Sequence, residues 1–199
     1  MSNDSQILYS KQTIEFVAIA NEWCSLLETA DRFSKKDFVD KLFKLTGFLY
    51  HKATLLPDTE PLFESTEKFV TELDWTIINN NVEAKLVSNN DLVDVPELNS
   101  FQVDTDNELT LSEICADIYQ SVKDFIYLYK TDNEEVMNDA LAEIKNDFGQ
   151  YWGLRAVSLL RNLHIMIYSD NELIDEEPAK QKNDENQQEE RWIDKRWGR

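Results

Sequence analysis

The chain has 199 residues, with 39 acids against 20 bases and a net charge of −19. That balance argues against a phosphate-backbone binder, whose affinity comes largely from lysine and arginine, and against docking on an anionic membrane. Four glycines and four prolines are few for a sheet protein and favour long helices, while 42% hydrophobic residues suffice for one core.

The start, "MSNDSQILYS", has neither the basic region nor the apolar core of a signal peptide. The chain contains no run of 18 apolar residues, so no membrane span is expected and the location expected is cytoplasmic. The first strong helix runs from Ser10 to Glu28: Phe16, Ile19, Ala20, Trp23 and Leu27 fall on one face. Ser34 is a good N-cap for the second, with Asp37 at N3 and a stripe of Phe38, Leu42, Leu45 and Leu49. This helix is expected to stop near Pro57, because proline disfavours helix in the residue before it.

From Asp58 to Ser112 the chain carries 13 acids and two lysines. One helix is expected inside, about 65–78, with an extension towards Val87. The remainder to Thr110 reads as an acidic connection in which periodicity does not decide between a short strand and a turn. Ser112 is expected to cap a helix striped by Ile114, Ile118, Val122, Phe125 and Tyr129. Asn133 opens the next, with Val136, Leu141 and Ile144. Glycine inside a helix costs about 1 kcal/mol relative to alanine, so a kink is expected near Phe148.

Phe148 to Ser169, "FGQYWGLRAVSLLRNLHIMIYS", contains no acid but holds Arg155, Arg161 and His164. On a wheel set at Trp152, Ala156, Leu159 and Leu163 lie within about 40°, while Leu154, Ile165 and Tyr168 lie opposite. A helix apolar nearly all round is central, so both arginines are expected to be buried and paired. Glu22, Asp117 and Asp124 are the candidate partners. The second acid-free run is Lys41–Pro57, which holds the only other histidine, His51. If the two helices adjoin, Lys44, His51, Lys52, Arg155 and His164 line an anion-binding groove, with Trp152 and Arg161 as further candidate binding residues.

Catalytic and metal motifs are missing: there is no Glu-x-x-His, His-Glu-x-x-His, Cys-x-x-Cys, Walker loop or dinucleotide glycine pattern. "DTDNELTLSEIC" starts like a calcium loop at Asp104 and Asp106. It fails at Leu109, where the turn needs glycine, and at Cys115, where glutamate belongs. No catalytic residue, metal site or cofactor is assigned. Cys24 and Cys115 sit in apolar helical patterns and are expected to be buried free thiols. Residues 171–199 form a charged, flexible tail by composition. Its end, "ERWIDKRWGR", carries four bases against two acids, and Trp192, Arg196 and Trp197 are the residue types that anchor interfaces.

"FVAIANEWCSLLE" (residues 16–28), "LYHKATLLP" (49–57) and "YWGLRAVSLLRNLH" (151–164) together resemble the uncharacterised bacterial family known as domain of unknown function 5063, common in Bacteroidetes. The resemblance covers about residues 7–170. It implies a small, cytoplasmic, mostly helical protein and brings no catalytic residues. The expectation is therefore an all-α bundle of five or six helices (residues 1–170), an acidic irregular connection and a disordered tail. Its expected function is non-enzymatic: an interaction or adaptor protein docking a protein partner, without nucleic acid or membrane. The alternative is a small-molecule or anion binder, or an enzyme, using a cleft between the His51 and His164 helices.

Overall fold

The computed structural model describes residues 3–95, 108–169 and 173–174. Six long helices form the bundle, preceded by a short one: α1 (Asn3–Leu8), α2 (Lys11–Glu28), α3 (Lys35–Thr54), α4 (Glu72–Leu86), α5 (Leu111–Tyr129), α6 (Glu134–Asp147) and α7 (Gly153–Tyr168). The architecture is all-α, as the periodicity predicts. Ser10, Ser34 and Asn133 cap α2, α3 and α6 through their side chains. α1, which periodicity does not reveal, buries Leu8 completely.

α5 is the central helix, touching α2, α4, α6 and α7. Phe16, Trp23, Phe38, Leu42, Leu49, Ile114, Val122 and Leu159 meet in the core. The one indole nitrogen of Trp23 donates to Thr46 Oγ1 at 2.9 Å, which satisfies a buried polar pair between α2 and α3. Cys24 and Cys115 are buried free thiols, and burial pushes both thiols up.

Two helix starts differ from expectation. α4 begins at Glu72, not near Ser65, because Thr71 and Asp74 form a capping box. The amides of Phe69 and Val70, just upstream, donate instead to Asp124 on α5, at 2.8 Å each. α5 begins at Leu111, capped by Thr110 in a box with Glu113. Ser112 is taken by Asn90, which accepts from its amide and donates to its hydroxyl, both at 2.9 Å.

The ends of the acidic connection pair as two short antiparallel strands, β1 (Leu92–Asp94) and β2 (Glu108–Thr110), with Val93 opposite Leu109. Asp104 and Asp106 lie outside the described residues, as do Trp192, Arg196 and Trp197. The expected kink is a π-helical turn, Phe148–Trp152. The glycine it needs is Gly153, not Gly149: a Cβ at Gly153 would lie 2.2 Å from the Phe148 carbonyl oxygen, whereas one at Gly149 meets nothing within 4 Å.

Candidate functional site

The two acid-free runs do adjoin. α3 and α7 pack antiparallel: Phe43 meets His164 and Tyr168, with ring centroids 6.0 and 6.4 Å apart, and Leu160 is 3.9 Å from where a Cβ of Gly47 would lie. His164 also stacks on Tyr168 at 4.6 Å. His51, in the last turn of α3, lies beyond Gly47 at the other end of this face. Both histidines are exposed.

Two of the bases expected at a shared groove, Lys52 and Arg155, turn to other helices. Lys52 turns to α2 and donates to Glu15 at 2.7 Å, and that hydrogen bond holds the Glu15 carboxyl below its usual range. Arg155 turns inward to α5, where Nε donates to Asp117 Oδ2 at 2.8 Å and the guanidinium lies 3.7 Å from the Tyr151 ring centroid. Trp75 on α4 donates to the other Asp117 oxygen at 3.0 Å, so one carboxylate ties α4, α5 and α7 together. Asp117 is thus the partner found among the three candidates. Asp124 serves the segment before α4, and Glu22 is exposed.

Of the two arginines of α7, Arg155 is half-buried. Arg161 is exposed, contrary to expectation, because the far side of α7 faces outward rather than another helix. Trp152 belongs to the core: it is fully buried, packs on Phe148 and Phe16, and donates to the Ile144 carbonyl at 3.2 Å. What remains at the surface is Lys44, His51, Arg161 and His164, among large apolar side chains. Phe48 is 55% exposed, Val157 48%, Ile165 53% and Tyr168 68%. Lys44 holds Asp40, one turn back, at 2.7 Å.

A second region was not foreseen. Residues 55–71 cross α6 and α5 as an extended strap. The amides of Leu62 and Phe63 donate to the two oxygens of buried Asp139, at 2.7 Å each. Asn138 donates to the Glu60 carbonyl at 2.7 Å, Lys145 to that of Leu56 at 2.7 Å, and Thr66 and Lys68 both donate to Glu143. Between the strap and α6 opens a cleft of about 690 Å³, a size within the small-molecule range. Five acids, Asp58, Glu64, Asp139, Glu143 and Asp147, stand among its mixed polar and apolar walls, with Phe63 and Pro61 on the strap side. The signal in the sequence was two adjacent polar residues, Asn138 and Asp139, which interrupt the buried face of α6.

No helix among the described residues is long and apolar enough to cross a membrane. The fold is that of a small all-α bundle whose polar sites are built from side chains on helix faces. Residues 7–169 match the family model described as Domain of unknown function (DUF5063), and the chain belongs to that family. Among solved structures, the crystal structure of protein BF1032 from Bacteroides fragilis is 34% identical to the chain, with a TM-score of 0.73 over 83% of this chain and 98% of that one. No curated protein matches the chain.

Proposed function

We propose that the protein is a non-enzymatic interaction protein whose α3/α7 face docks an acidic amphipathic helix of a protein partner. The observation that carries this reading is the exposed set of Phe48, Val157, Ile165 and Tyr168 on two acid-free runs of a chain with net charge −19. Contiguous apolar surface rimmed by charge marks interaction sites more often than plain surface. Lys44 and Arg161 supply the positive rim, and the excess of acids elsewhere keeps a basic partner from being favoured here. An amphipathic helix presents apolar anchors at i, i+3 and i+4, the spacing that a two-helix face receives.

The test is site-specific photocrosslinking in cells from position 157, with position 77 on α4 as the control. Adducts at 157 and not at 77, mapping to an acidic segment and weakened by Lys44→Glu with Arg161→Glu, support the reading. Equal adducts at both positions, or adducts to a basic segment, overturn it.

The terminal peptide with Trp192, Arg196 and Trp197 is the second docking element of this proposal. Aromatic and arginine side chains are the usual anchors of interfaces. Truncation after Glu189 is expected to lower the crosslink yield without changing the melting temperature. A fall in melting temperature at unchanged yield assigns the peptide to the fold instead.

A further inference from the structure

We propose that residues 57–68 form a gate: this part of the strap lifts off α6 as one unit while the bundle stays folded, turning between two fixed pins at Leu56 and Val70. Both pins are apolar and buried. The amide of Leu56 donates to the Ala53 carbonyl at the end of α3, at 3.2 Å. The amide of Val70 is held, with that of Phe69, by Asp124 on α5. Between the pins no side chain is buried, and the gate's large apolar residues, Leu62 and Phe63, are 60% and 56% exposed. A segment that buries no side chain gives up little hydrophobic stabilisation when it lifts, and local opening is drawn from segments of that kind.

What holds the gate shut is polar and comes from one helix. Asp139 accepts the amides of Leu62 and Phe63, and Asn138 donates to the Glu60 carbonyl. Thr59 donates to the Asn138 carbonyl at 3.4 Å, Thr66 and Lys68 donate to Glu143, and Lys145 pairs with Asp58 at 2.5 Å. Among the described residues these tethers all end on α6, whereas the pins rest on α3 and α5. One displacement away from α6 therefore breaks the tethers together and leaves the pins in place. Asp139 is the latch. It is buried, and each of its oxygens takes one charge-assisted amide bond. The Lys68–Glu143 and Lys145–Asp58 pairs lie at the surface, where ion pairs contribute little. Lifting the gate brings the Asp139 carboxylate into water and widens the cleft that it already lines.

The experiment is native-state amide hydrogen exchange of the full chain, followed at single residues by NMR where exchange reports the opening equilibrium. The amides of Leu62 and Phe63 are expected to exchange together, slower than in a free peptide but faster than those of Val70 and Val122. They should respond little to urea below the unfolding transition, because denaturant acts in proportion to the surface an opening exposes. Two variants separate the gate from the bundle. Ile114→Val trims the core about 15 Å along α5 from Asp124. It should speed Val70 and Val122 about fivefold and leave Leu62 and Phe63 unchanged, because the shut and open gate share that core. Asp139→Asn replaces one of the two acceptor oxygens by a donor and should speed Leu62 and Phe63 about tenfold. If Ile114→Val speeds Leu62 and Phe63 as much as Val122, the strap opens only with the bundle and the proposal is overturned. Leu62 and Phe63 exchanging at the free-peptide rate also overturns it, since nothing then latches the gate. So does a Val70 amide that Ile114→Val leaves unchanged, since that end is then not a fixed pin. None of these outcomes depends on whether the α3/α7 face docks a partner.

Discussion

The α3/α7 face and the strap cleft use charge in opposite ways. On the α3/α7 face the charges are at the rim: Lys44 and Arg161 are exposed, and the one ion pair there, Lys44–Asp40, joins neighbours on a single helix. Under the strap the charges are inside. Asp139 and Asp124 are buried, and between them they accept four backbone amides from a segment with no helix of its own. A segment that forms no ladder must find partners for its backbone elsewhere, and carboxylates on neighbouring helices supply them. The difference teaches that net charge says little about role: acids build one region, and their scarcity marks the other.

That contrast breaks most visibly at Asp139. Asp139→Ala leaves the amides of Leu62 and Phe63 without acceptors, and about 3 kcal/mol of stability should be lost by urea unfolding. Asp40→Ala removes a carboxylate of equal formal charge from the other face. An exposed i,i+4 pair contributes about 0.3–0.5 kcal/mol, so its unfolding curve should barely move. Equal losses in the two variants would mean that the strap is not held by its carboxylate.

Glycines sharpen the same comparison. Gly153 sits where the π-turn brings the Phe148 carbonyl against it, so Gly153→Ala forces a backbone shift and should cost about 2 kcal/mol. Gly47, inside α3 and against Leu160, has room at 3.9 Å for a methyl group. Gly47→Ala should raise stability by up to about 1 kcal/mol, through helix propensity and a stiffer unfolded chain. Thermal melting of the pair checks both signs.

Helices were legible where apolar spacing and one cap agreed, as at Ser10, Ser34 and Asn133. They were misread where two caps competed. Ser65 and Thr71 both stand ahead of apolar residues, and the choice between them is made by Asp124, 54 residues from Val70 along the chain. Ser112 lost to Thr110 for the same kind of reason, its hydroxyl being held by Asn90. The missing acids singled out α3 and α7 but left open whether the two adjoin, because nothing local to either helix specifies its neighbour. Which way each base turns did not follow, because Lys52 and Arg155 are aimed by Glu15 and Asp117 on other helices. The strap cleft left almost no trace, since its walls belong to a loop and a helix brought together only by tertiary contacts.

The two arginines of α7 give the finest test of the comparison. The sequence assigns them one role, and the fold separates them, six residues or about 1.7 turns apart on one helix. Arg155 is the charged donor to Asp117, and its side chain is only 19% exposed, against 15% for its partner. Arg155→Ala leaves Asp117 without its charged donor, with the Trp75 indole and the Tyr151 hydroxyl beside it, and it also removes the cover from Tyr151. A half-buried charged hydrogen bond contributes about 1.5 kcal/mol, so a clear drop in melting temperature is expected. Arg161 is exposed, with no helix among the described residues packed over it, and surface substitutions of that kind fall within about 0.5 kcal/mol of neutral. Arg161→Ala should therefore melt with the parent chain while lowering the crosslink yield from position 157. If instead Arg161→Ala destabilises as much as Arg155→Ala, the outer side of α7 is part of the core of a larger assembly, and the exposed apolar residues beside it are covered by that assembly rather than by a transient partner.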